Sequence, residues 1–84
     1  MALFGEILAE LRQERKMTQK ELAKVLYVTV GTISNYETGV HLPDIEKLTA
    51  LADYFNVTAD YLLGRCKFDF SLDMFEEVLL MWQL

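Results

Sequence analysis

The sequence predicts an all-α fold: a body of five short helices followed by a sixth, apolar helix. Three observations carry this. Apolar residues recur every three or four positions through the body and nowhere alternate as in a strand. Residues that cap helix starts (Thr18, Thr29, Asp44, Thr58, Ser71) and residues that end helices (Gly39, Asn56, Gly64) fall between those periodic runs. Four glycines and one proline supply too few turns for a sheet sandwich.

Taken in order, Phe4, Ile7, Leu8 and Leu11 lie at helical spacing and predict a helix over residues 3 to about 15. Thr18 opens the second helix, with Glu21 three residues on as its capping-box partner and Leu22, Ala23 and Leu26 facing inward. A short break at Tyr27 and Val28 follows. Thr29 caps a third helix with Ile33 and Tyr36 inward; Gly39 ends it and residues 40–43 are loop. Asp44 caps a fourth helix with Ile45, Leu48, Leu51, Ala52 and Phe55 inward, and Asn56 ends it. Thr58 opens a one-turn helix closed by Gly64. Composition then changes between Gly64 and Lys67, dividing a body over residues 1–65 from a helical extension over 66–84. In the extension, Ser71 is an N-cap, and Leu72, Phe75, Leu79 and Trp82 form an a/d seam that Val78 widens. A face this apolar has to be buried, against the chain's own five-helix body or against a second copy; these five apolar residues are the expected interface of a homodimer.

Eighty-four residues suffice for one core. A hydrophobic share of 52% excludes a disordered acidic tail. A single cysteine, Cys66, and a single histidine, His41, exclude an internal disulfide and a zinc site. There is no glycine-rich phosphate loop, G-x-S-x-G elbow or H-E-x-x-H pair, so neither an enzyme nor a cofactor or small-molecule ligand is expected. No leader pattern is visible, and the longest apolar run, Val78 to Trp82, is far short of a membrane span. The expectation is a cytoplasmic protein.

Eight basic and thirteen acidic side chains give a net charge of −5, which argues against a nucleic-acid partner until the charges are located. Arg12, Arg15, Lys16, Lys20 and Lys24 crowd one stretch, offset there only by Glu14 and Glu21. Beyond Cys66, Lys67 alone faces Asp69, Asp73, Glu76 and Glu77. The basic stretch also contains a motif. Two short helices separated by about three residues have helix-turn-helix geometry. Residues 18–23 (TQKELA), 33–39 (ISNYETG), 42–44 (LPD), 52–57 (ADYFNV) and 60–64 (DYLLG) together resemble the Cro and phage-repressor helix-turn-helix family, also called XRE-like or lambda-repressor-like. The resemblance covers residues 5–64.

That resemblance implies a DNA-binding transcription regulator, most simply a repressor acting on a palindromic operator as a homodimer. It assigns Val30, Gly31, Thr32 and Asn35 to the major groove, where Asn35 can pair with adenine and Thr32 can offer its hydroxyl or its methyl. It places Gln19 on a phosphate beside a helix start. Thr18, Lys20 and Lys24 are further phosphate candidates, with Arg15 and Lys16 nearby, and His41 is the sole candidate in its loop. It also pairs Arg12 with Glu37 as a structural ion pair. Three positions depart from the family pattern: Gly31 stands where a long polar reader is common, Tyr27 where a glycine is common, and residues 40–42 carry no Lys or Arg. The alternative is a helix-turn-helix that binds another regulator through its apolar tail.

Overall fold

In the computed structural model, which describes residues 3–64, the chain forms α1 (Phe4–Glu14), α2 (Gln19–Leu26), α3 (Val30–Thr38), α4 (Ile45–Phe55) and α5 (Ala59–Leu62), with no strand among the described residues. The extension over 66–84 and its apolar seam lie outside them. Among the described residues no helix is long and apolar enough to cross a membrane.

Four of the five helices start on a side-chain cap. Thr18 Oγ1 accepts the Glu21 N–H at 3.1 Å while the Glu21 carboxylate accepts the Thr18 N–H at 3.0 Å, a reciprocal capping box. Those bonds hold the Glu21 carboxyl below the usual carboxylate range. Thr29 Oγ1 accepts from Thr32 N–H at 3.1 Å, Asp44 Oδ1 from Lys47 N–H at 2.8 Å and Thr58 Oγ1 from Tyr61 N–H at 3.1 Å. Each bond satisfies a backbone donor that a helix start would otherwise leave unpaired. The ends are equally defined: Tyr27, Gly39 and Asn56 close α2, α3 and α4 in the left-handed conformation. Tyr27 does so at φ 58° and is 93% exposed, a backbone conformation costing about 1–2 kcal/mol for a residue with a Cβ.

Each helix contributes one fully buried aliphatic side chain to the centre: Leu8, Leu22, Ile33, Leu51 and Leu62. Around them pack Phe4, Ile7, Leu11, Leu26, Tyr36, Phe55 and Val57. Ile45, expected inside, is instead 82% exposed. Burial rises along α4 from Ile45 through half-buried Leu48 to Leu51, so the first turn overhangs the core. Periodicity marks the correct face of a helix but not how far along that face the core extends.

Gly5 marks a close helix approach that the periodic reading passed over. It is buried in the first turn of α1, directly against the last carbonyls of α3. A Cβ there would collide with the Glu37 carbonyl and stand 2.5 Å from the Tyr36 carbonyl oxygen. Beside it, Phe4 and Tyr36 meet edge to face with centroids 6.4 Å apart. Two effects oppose each other in Gly5→Ala. Helix propensity favours alanine by about 1 kcal/mol, whereas overpacking against immovable backbone costs about 1–3 kcal/mol or more. The collision is expected to win: chemical denaturation should show the variant less stable than the parent, and a gain in stability would exclude the close approach.

Candidate nucleic-acid interface

One carboxylate joins three helices. Glu37, in the last turn of α3, accepts from Arg12 Nε at 2.7 Å and from Arg12 Nη2 at 3.1 Å, a two-pronged pair with α1. Its Oε1 also accepts from Gln19 Nε2 at 3.0 Å, reaching the first residue of α2. Arg12 Nη1 donates to the Met17 carbonyl at 2.7 Å, tying down the α1–α2 connection. Both side chains are nearly buried, at 13% exposure for Arg12 and 8% for Glu37. The hydrogen bonds to Glu37 hold the guanidinium above its ordinary pKa, so it is charged at every accessible pH. A carboxylate at the negative end of a helix dipole would by itself be unfavourable; the fixed Arg12 cation offsets that.

With its inner face fixed through Ile33 and Tyr36, α3 turns its other face outward. At 100° per residue, Gly31 and Asn35 lie near the middle of the outward face, with Val30 and Thr32 at its flanks. Val30 is 42% exposed, Gly31 exposed, and Thr32 and Asn35 half-buried. Of the four residues that the sequence assigned to base contact, Gly31 and Asn35 thus share the outward side, with Val30 and Thr32 at its two opposite edges. The side-chain amide of Asn35 has no hydrogen-bond partner among the described residues. Its backbone carbonyl closes the helix end by accepting from the N–H groups of Val40 and His41.

The expected phosphate contacts separate into two groups. Lys20 and Lys24 are exposed on α2, Thr18 is exposed at its start, and His41 is exposed after α3. Gln19, by contrast, is half-buried and already donates to Glu37, a bond that no sequence pattern announced. Arg15 is engaged elsewhere. It donates to the Tyr54 carbonyl at 3.0 Å, and its guanidinium carbon sits 5.1 Å from the Tyr54 and Phe55 ring centroids, clamping α1 to the end of α4. Lys47 was likewise unforeseen; its ammonium donates to the Leu26 carbonyl at 3.4 Å, capping the end of α2 from α4. Among the described residues no group of three His, Cys, Asp or Glu could hold a metal ion.

Two helices joined by a tight left-handed turn, the second presenting one polar side outward, define a helix-turn-helix. A family model described as helix-turn-helix matches residues 8–62. The chain belongs to the XRE-like helix-turn-helix family. It is 43% identical over 62 residues to the HTH-type transcriptional regulator ImmR of Bacillus subtilis, a match covering 74% of this chain and 49% of that protein. It is 33% identical over 60 residues to RstR of Vibrio cholerae, a phage CTXphi transcriptional repressor, covering 71% of this chain and 54% of that one. The chain therefore spans about half the length of these curated relatives. Among solved structures, the P22 c2 repressor bound to a synthetic operator superposes with a TM-score of 0.74 at 32% identity, covering 79% of this chain and all of that one.

The ion pair generates a quantitative expectation. Replacing Arg12 by alanine leaves the nearly buried Glu37 with Gln19 alone and should cost roughly 3–5 kcal/mol. In a double-mutant cycle with Glu37→Ala, measured by urea unfolding, the two losses should fall well short of additive. Strict additivity would mean that the pair contributes nothing.

Proposed function

We propose that this XRE-like chain is a sequence-specific DNA-binding transcription regulator, acting as a repressor on a palindromic operator as a homodimer. The observation that carries the reading is the outward side of α3. It is held by the Glu37 network and presents the Asn35 amide without a hydrogen-bond partner among the described residues. A helix of this length fits the major groove, and an asparagine amide matches the two polar atoms of adenine there. Exposed Lys20 and Lys24, with Thr18 and His41, serve the phosphates on either side. Residues 1–65 form the DNA-binding domain. Residues 66–84 pair two copies through Leu72, Phe75, Val78, Leu79 and Trp82, spacing the recognition helices about 34 Å apart for successive major grooves. The protein works in the cytoplasm, without cofactor.

A second reading, a protein-interaction module that binds another regulator, is favoured by the exposed apolar edge of Val40, Leu42 and Ile45, 63%, 70% and 82% accessible. Binding to randomised duplexes separates the two. Enrichment of one sequence supports DNA recognition, and its absence at low salt supports the module.

Base and phosphate contacts differ in their signatures. Asn35→Ala should cost about 1–3 kcal/mol on the selected duplex and relax base choice at one position in each half-site. Lys20→Ala should weaken all duplexes alike and flatten the salt dependence. These outcomes are read from titrations at several salt concentrations, and unchanged specific binding by Asn35→Ala would remove it from the groove. A chain ending at Arg65 should remain helical, sediment as a monomer and lose most of its operator affinity. A full-length chain that is itself monomeric at micromolar concentration would refute the dimer.

A further inference from the structure

We propose that residues 66–84 fold back on their own body and cover the apolar edge made by Val40, Leu42 and Ile45. This goes beyond the DNA-binding reading and does not rest on it. The five seam residues assigned above are left for the second copy.

The edge is an unfinished end of the core. Ile45, Leu48, Leu51, Ala52 and Phe55 form one stripe at helical spacing along α4. Leu51, Ala52 and Phe55 are buried, Leu48 is half-buried and Ile45 is 82% exposed. The stripe thus continues one turn beyond the buried part of the core. In the loop just before it, Val40 and Leu42 are 63% and 70% exposed, so three large apolar side chains stand in water within six residues. The backbone that carries them is well tied. The Val40 and His41 N–H groups both donate to the Asn35 carbonyl, and Asp44 caps α4. A fixed apolar edge of this kind is a surface that something covers.

The same chain carries the matching surplus. Apart from Leu72, Phe75, Val78, Leu79 and Trp82, residues 66–84 include Phe68, Phe70, Met74, Leu80, Met81 and Leu84. These stand outside the seam between copies and also need cover. The described body ends at Gly64, and residues 65–70 separate it from Ser71, the expected helix start. Extended, that connector reaches about 20 Å. A body of this length has a radius of gyration of about 11 Å, so the extension can lie against any of its faces. Tethered in this way it meets the edge at a roughly millimolar effective concentration, an advantage no separate partner has.

The test is made on the full-length chain by methyl NMR. With a soluble gadolinium chelate added, the methyl signals of Val40, Leu42 and Ile45 should keep their intensity, while that of Thr49, exposed on the same helix, broadens away. The Ile45 methyls should show nuclear Overhauser contacts to residues 66–84. Those contacts should be absent from isotope-filtered spectra of labelled and unlabelled chains mixed and exchanged, which record only contacts between copies. Ile45→Ser lies at a site too exposed in the body for the change to unfold it. It should speed chymotrypsin cleavage after Phe68 or Phe70 about ten-fold. A factor of ten corresponds to ~1.4 kcal/mol, near the low end for fully burying an isoleucine. The inference is overturned if the three methyls broaden as Thr49 does, if the contacts come from the other copy, or if cleavage is unchanged. The dimer and DNA-binding readings have their own tests above and stand under any of these results.

Discussion

The Glu37 carboxylate is the constraint on which the rest of the domain depends. It sits where a negative charge is least welcome, at the carbonyl end of α3, and with little solvent to screen it. It is tolerable there because Arg12 meets it with two prongs and Gln19 adds a third donor. The consequence is geometric more than energetic. A buried ion pair is weak evidence of net stability, since apolar residues of the same volume often pack as well. Three directional bonds converging from α1 and α2 do something a greasy contact cannot: they set the rotation of α3 about its own axis. Which residues of α3 face outward follows from that setting.

Gly5 contributes from the same side. It lets α1 lie directly on the last carbonyls of α3, and Arg12 reaches the Glu37 side chain two turns further along α1, a rise of about 10 Å. The scaffold helix therefore grips α3 at two levels. Other contacts tie α4 to the rest: Arg15 lies against Tyr54 and Phe55, and Lys47 reaches the Leu26 carbonyl. Two of the basic residues in the N-terminal stretch are thereby consumed by structure. That leaves Lys16, Lys20 and Lys24 as the exposed cations of that stretch in a protein of net charge −5. In the proposed DNA complex, phosphate attraction supplied by so few cations would be modest, which would place more of the discrimination on shape and on base contacts.

Much of this was legible in the residues. The four side-chain caps, the left-handed closures and one buried aliphatic residue per helix all follow from local chemistry, because a cap needs only its own helix and a periodic stripe needs only its own spacing. Tyr27 could be identified as the turn residue from its place in the motif. Ile45 misled because its spacing is faultless. Its exposure depends on where the neighbouring helices stop, which no local pattern encodes. Gln19 and Arg15 carry intramolecular bonds that the sequence did not announce, for a related reason. A polar side chain near a helix start is suited equally to a phosphate or to a partner within the protein, and only the packing of α1, α3 and α4 decides between them. A glycine inside the first turn of a periodic helix was the one available hint of the close approach at Gly5.

By itself the sequence determined the five helices of residues 3–64, their ends and the family, since each of these is written in residues close together in the chain. Tertiary structure decided which polar groups remain free to act outward. Gln19 donates to Glu37, Arg15 donates to the Tyr54 carbonyl and the Thr29 and Thr32 hydroxyl oxygens lie 3.0 Å apart, while the Asn35 amide has no partner among the described residues. The physical reason is that hydrogen-bonding capacity is a property of a residue, whereas whether it is already used is a property of its neighbours in space.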